Sequence, residues 1–128
     1  MVKVFERVYL SDETDYVERV VAHAVACAAE TVVLHGTLIN HSGTEITLTL
    51  QMEGSYDGQV WQTIGLTAAG QKVEFNTGDP TSPATKNTTA IAVDYAFLRV
   101  RATIDSDGQP PDGKALFDAE LVFLHQKN

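Results

Sequence analysis

The sequence predicts an all-β protein: a two-sheet antiparallel β-sandwich of jelly-roll type, built as one domain over residues 1–128. Three observations carry this. Thr44–Leu66 holds two strand-like runs separated by the turn formers Gly54-Ser55-Tyr56-Asp57-Gly58, which reads as a β-hairpin with a slightly long loop. Leu98–Ile104 and Ala115–Phe123 place an apolar residue at every second position, the period of a half-buried strand. Runs of this kind recur along the chain, about seven or eight in all, each ended by turn-forming residues, the pattern of a sandwich.

In chain order, Val2–Leu10 is a short strand. Val2, Val4, Val8 and Leu10 share one parity, Glu6 interrupts them, and Phe5 and Tyr9 lie on the other face. Tyr16–Glu30 is ambiguous. Val17, Val20, Val21, Ala24 and Ala28 follow helical spacing, and Asp15 with Glu18 fits a capping box. No Gly, Asn or Pro stops such a helix, so the reading leans to strand, with a short helix near residues 15–29 as the alternative. Thr31–Asn40 is a strand with Val32, Leu34 and Leu38 on one side and His35 and Thr37 on the other. Gly36 in its middle points to a bulge or a close approach. Asn40–Gly43 is a turn into the hairpin.

Ile46, Leu48, Leu50 and Met52 alternate with polar residues in the first arm of the hairpin, and the second arm carries the only Trp, Trp61. After a turn at Thr67–Gly70, Val73 and Phe75 mark a short strand. Asn76–Thr89 reads as the longest loop, stiffened by Pro80 and Pro83. Ala90–Ile104 is expected to hold one long strand, and Lys114–His125 the last. Placed side by side, these two strands match Arg99 with Glu120 and Arg101 with Asp118, so they are expected to pair directly.

A single cysteine, Cys27, rules out an internal disulfide and a cysteine-based zinc site. A formal net charge of −8 disfavours nucleic acid and anionic membranes, both of which call for a basic surface. No apolar run approaches the length of a membrane-spanning helix, and Met1–Arg7 has no signal-peptide pattern, so synthesis in the cytoplasm without a leader is expected.

Catalytic and metal chemistry finds little support. There is no nucleophile elbow, phosphate loop or spaced Ser/His/Asp set, so no enzyme and no cofactor are expected. His35, His41 and Glu45 lack the close His-x-His pair of a cupin-like site. Asp105-Ser106-Asp107-Gly108 with Asp112 gathers oxygens, but Leu116 stands where an EF-hand needs Glu, and a solvated acidic turn is the plainer reading.

The hairpin loop is the best-defined motif. Ser55 and Asp57 can bind backbone N–H groups within the turn, and Gly58 permits positive φ. The spacing Ser55-x-Asp57-Gly58-x-x-Trp61 resembles the hairpin of discoidin domains (coagulation factor 5/8 type C). Tyr95-Ala96-Phe97-Leu98-Arg99-Val100 resembles the aromatic-x-x-aliphatic-Arg-aliphatic strand near the end of those domains. The paired strands also resemble small structural proteins of tailed-phage particles. The chain departs from discoidin domains in lacking their cysteine pair and in its shorter length.

The resemblance implies a structural hairpin formed by Ser55, Asp57, Gly58 and Trp61. Trp61 is expected in the core, with truncation to Ala costing about 3–5 kcal/mol. Tyr56, Asp79, Pro80, Pro83 and Lys86 are the candidate ligand or assembly contacts. Two functions follow as expectations. The first is a structural subunit that forms a homo-oligomer, or joins other subunits of one assembly, in a virion, tail or appendage, as a capsid decoration protein does. The alternative is a carbohydrate- or surface-binding module, with Tyr56 as its aromatic platform and a glycan as partner.

Overall fold

The computed structural model describes residues 2–12, 18–25, 31–64, 72–78, 84–92 and 94–124. Among them there are ten strands and no helix: β1 (Val2–Ser11), β2 (Glu18–Val25), β3 (Thr31–Ser42), β4 (Thr47–Ser55), β5 (Gln62–Thr63), β6 (Val73–Asn76), β7 (Ala84–Asn87), β8 (Ile91–Ala92), β9 (Phe97–Asp105) and β10 (Lys114–Leu124). The ambiguous segment is strand over Glu18–Val25, and the helical alternative fails there. Strand pairing supplies hydrogen bonds that a short alanine-rich helix would have to make alone.

The strands form two antiparallel sheets. Sheet A has the order β1-β10-β3-β7, with β8 also on β3. Sheet B has the order β2-β9-β4-β5, with β6 also on β4. This is the winding of a jelly roll. The chain is a long two-stranded ribbon whose paired arms are β1 with β10, β2 with β9, β3 with β7 and β8, and β4 with β5 and β6. Its closed tip is the β4–β5 hairpin. Rolling the ribbon brings β10 beside β3 and β9 beside β4, and so completes each sheet.

The core lies between the sheets. Val32, Leu34, Leu38, Phe117, Leu121 and Phe123 face in from sheet A, and Leu48, Leu50, Met52, Phe75, Leu98, Val100 and Ile104 from sheet B, all buried. Each such side chain contributes about 1.5–3 kcal/mol by leaving water. The alternation in β9 and β10 is as the sequence predicts. Gly36 marks a close approach rather than a bulge: a Cβ there would stand 2.9 Å from Leu50 Cδ1 of the opposite sheet. The bulge of β3 comes later, where the pairing with β10 shifts between Leu116 and Phe117.

Several expectations are corrected. β9 and β10 do not pair; they belong to different sheets, because the ribbon winding places β9 between β2 and β4 and β10 between β1 and β3. Ala90–Ile104 is divided into β8 and β9, one in each sheet. The long loop Asn76–Thr89 is interrupted by β7. Thr88 continues that contact, its N–H donating to Leu34 O and its hydroxyl accepting from Leu34 N. The expected turn at Asn40 begins only after Ser42, since β3 runs on to meet Lys114. Cys27 lies outside the described residues.

Candidate functional site

The hairpin tip is held by its own side chains. Ser55 Oγ accepts from Gly58 N at 2.9 Å and donates to Asp57 Oδ1 at 3.0 Å. Asp57 Oδ1 accepts from Gln59 N at 2.8 Å and Val60 N at 3.0 Å. Gly58 takes φ of 79°, which closes the loop. The N–H groups of Val60 and then Gln59, with the Ser55 hydroxyl, hold the Asp57 carboxyl below the usual range. Ser55, Asp57 and Gly58 therefore serve the turn in the way their spacing suggests.

Beside the turn, β4 carries Gly54 directly under the ring of Tyr95. A Cβ at Gly54 would stand 2.4 Å from that ring, so only glycine admits Tyr95 here. Tyr95 packs against the core from one side and against Tyr56 from the other, with ring centroids 4.8 Å apart and planes tilted by 33°. The Tyr95 hydroxyl donates to Gln62 Oε1 at 3.0 Å and the Tyr56 hydroxyl to Asp94 Oδ2 at 3.2 Å. Partial desolvation, followed by the charge and hydrogen bond of Asp94, raises the Tyr56 hydroxyl above its ordinary range. A shallow pocket of about 120 Å³ opens between Gly54, Ser55, Tyr56, Asp57, Val60, Gln62 and Tyr95.

Trp61 is the main correction at this site. It lies half-buried on the outer side of sheet B, outside the core, with the Arg99 guanidinium 4.0 Å from its ring centroid. Ile64, three residues on, packs on the core, so the two residues take opposite faces as ideal alternation requires. Arg99 Nε also donates to Glu53 Oε1 at 2.7 Å, and Arg101 Nε to Glu53 Oε2 at 3.1 Å. These are the arginines expected opposite Glu120 and Asp118. Glu53 has outward parity yet is 7% exposed, because the two arginines cover it. Burial by itself raises the Glu53 carboxyl; the hydrogen bonds of Arg101 and Arg99 and their charges outweigh that and leave it lowered. Sequence reading missed this cluster, whose only signal was the outward parity shared by Glu53, Arg99 and Arg101.

The outer face of sheet A is different. Register places Phe5, Glu120 and His35 in one row across β1, β10 and β3, Arg7, Asp118 and Thr37 in the next, and Tyr9, Leu116 and Asn40 in the third. Arg7 and Asp118 form a two-pronged ion pair, Nε to Oδ1 at 2.7 Å and Nη2 to Oδ2 at 3.0 Å. Phe5 and Tyr9 are each 56% exposed. At one end of the face, Tyr9, Asn40, His41, Ser42, Lys114, Ala115 and Leu116 line a second open pocket of about 160 Å³.

Of the remaining candidates, Asp79, Pro80 and Pro83 lie outside the described residues. Lys86 bridges the two sheets: its Nζ donates to Glu74 O at 2.8 Å and sits 5.2 Å from the Phe75 ring centroid. The acidic Asp105–Gly113 turn is tied to the fold. Asp112 accepts from Thr44 N at 3.0 Å and Thr44 Oγ1 at 2.7 Å, which lowers its carboxyl. Buried Asp12 accepts from Gly113 N and from the Ser106 hydroxyl. Among the described residues, no three His, Cys, Asp or Glu side chains converge to hold a metal ion. No protein-family model matches the sequence, and no curated protein does.

Proposed function

We propose that this chain is a non-catalytic structural subunit that self-assembles through the outer face of sheet A, as one repeated unit of a particle, tail or appendage. The exposure of Phe5 and Tyr9 on one face of one strand carries this reading. Tyr9 beside Leu116, and Phe5 across the Arg7–Asp118 row, are open aromatic surface that favours leaving water against a partner. Charge favours a second copy as that partner. The described charged side chains on the face, Arg7, Lys114, Asp118 and Glu120, cancel, whereas the whole chain carries −8. Two such faces add no local like-charge contact to the repulsion between chains of −8.

The edge of β1 is a poorer route than its face. Glu6 shares the inward parity of Val4 and Val8, and a charge on the inner side of an edge strand resists the addition of another strand. The carboxylates best placed for acid–base work, Asp12, Glu53, Asp57 and Asp112, are committed to backbone, hydroxyl or arginine partners, which fits a structural role. The resemblance to tailed-phage structural proteins supports the kind of assembly.

Light scattering across protein and salt concentration tests the proposal. The wild type is expected to form an oligomer of defined mass, favoured by salt because screening weakens the remaining −8 repulsion. The double variant Phe5→Ser/Tyr9→Ser is expected to be monomeric. A wild type that stays monomeric at high micromolar concentration in moderate salt would sink the idea, and so would a double variant that assembles unchanged.

A further inference from the structure

We propose that the pocket at the Lys114 end of the sheet A face receives Glu120 of a second copy, the two copies facing each other about a two-fold axis that crosses the strands near Phe117. This rests on the assembly reading above and names the contact within it.

The charge pattern of β10 carries the argument. This strand lies between β1 and β3 and turns Lys114, Leu116, Asp118 and Glu120 outward. An ammonium stands at one end of that row and a carboxylate at the other, about 20 Å apart at the rise of an extended strand. Asp118, between them, is already neutralised by Arg7. Phe117 is midway. A two-fold axis crossing the strands there runs the two copies of β10 antiparallel and sets Lys114 of each copy over Glu120 of the other. A two-fold axis along β10 instead sets Glu120 over Glu120 and Lys114 over Lys114, and like charges so placed oppose association. Facing sheets commonly keep their strands within about 30° of each other, which the crossing axis allows.

The pocket suits this guest. Beside Lys114 its walls include Tyr9, Asn40, His41, Ser42 and Leu116. The Lys114 ammonium, the Asn40 amide and the Ser42 hydroxyl can all donate to a carboxylate, and no carboxylate lines the pocket although the chain carries −8. The exposed acids of the adjoining turns, Glu45, Asp105 and Asp107, are not in its walls. At about 160 Å³ it has room for one side chain, well below the ~300 Å³ at which drug-sized ligands begin. The same axis uses the open aromatics. It sets Tyr9 of one copy against Arg7 of the other, one row away on the same strand. The Arg7 side chain is 60% exposed while its edge bonds Asp118, so the flat face of the guanidinium can stack on the ring. Phe5 shares the Glu120 row and follows it toward the Lys114 end of the other copy. Each copy gives and receives once, so the contact closes on a dimer, the unit that a larger particle would repeat.

The experiment is sedimentation equilibrium of the full chain at one moderate salt concentration, on the wild type, Glu120→Lys, Lys114→Glu, the double variant, and an equimolar mixture of the two single variants. Each single variant sets like charges at both contacts and is expected to weaken dimerisation by about tenfold or more. The double variant exchanges the partners and should dimerise as tightly as the wild type. So should the mixture, in which one chain carries lysine at both positions and the other glutamate. Net charge cannot imitate this result: Glu120→Lys lowers the repulsion between chains of −8 and Lys114→Glu raises it, yet both should weaken the dimer. Misfolding cannot imitate it either, since mixing would not rescue a misfolded chain. Single variants that dimerise like the wild type, or a double variant or mixture that stays monomeric, would overturn the proposal. Where the wild type dimerises and Phe5→Ser/Tyr9→Ser does not, such an outcome leaves the assembly reading standing with a different register. A monomeric wild type removes both.

Discussion

The two sheets bury similar inner faces and treat their outer faces in opposite ways. On sheet B the outward residues near the hairpin are closed by their own chain: Glu53 lies under Arg99 and Arg101, and Trp61 lies against Arg99. On sheet A the outward aromatics Phe5 and Tyr9 stay open on either side of the Arg7–Asp118 ion pair. An aromatic residue on an outer face therefore says nothing by itself about partners. What matters is whether the same chain supplies a cation and a second layer of side chains to cover it. Trp61 has that cover. Phe5 and Tyr9 do not.

The largest expected effect lies on the closed face. Glu53→Ala removes the partner of two half-covered guanidinium groups. A broken buried pair costs about 3–5 kcal/mol in general; here both arginines can reach water, so about 2–3 kcal/mol is expected by urea denaturation. A loss below about 0.5 kcal/mol would mean that the face is not held by this cluster.

The same cluster makes a pH prediction. The folded Glu53 carboxyl titrates below its ordinary value, so its stabilisation is fully present above that ordinary value. It disappears as pH falls through the lower, folded value. Asp57 and Asp112 are shifted in the same direction and add to this acid limb. The stability gap between wild type and Glu53→Gln should therefore narrow on acidification below the usual carboxylate range. A gap that widens there would reverse the sign of the argument.

Trp61→Ala comes next. Its partly covered ring, outside the core, and the arginine contact predict a loss of about 1–2 kcal/mol, below the cost expected of a core tryptophan. A loss above about 3 kcal/mol would return Trp61 to the core class. The smallest effect on stability belongs to the open face. Phe5→Ser/Tyr9→Ser should change the unfolding free energy of the isolated subunit by about 0.5 kcal/mol or less, read by dilute thermal or urea unfolding. A large loss would show that these rings stabilise the subunit itself and would close the contrast between the faces.

Much of the fold was legible in the sequence, and for one reason. Strand side chains alternate with a strict period of two, so the inward residues of β4, β9 and β10 can be read one strand at a time. The turn chemistry of Ser55, Asp57 and Gly58 was equally legible, because all its hydrogen bonds close within six residues. Gly36 announced a bulge or a close approach, the two common uses of a glycine in mid-strand, and the packing of the sheets made it the second.

What the sequence could not supply was the choice among distant partners. Arg99 and Arg101 match Glu120 and Asp118 by parity and charge as well as they match Glu53. Only the winding of the ribbon, which places β9 beside β4 and β10 beside β1 and β3, selects Glu53. The same winding split the expected long strand into β8 and β9, and it drew β7 out of the expected loop onto β3. Composition likewise could not tell that Trp61 would meet Arg99 outside the core while Tyr95, with Gly54 beneath it, would reach inward. Local periodicity is set by backbone geometry and is written in each segment. Which segments meet is set by burying the whole chain at once, and many pairings with similar local energies become distinct only when the two sheets close on one core.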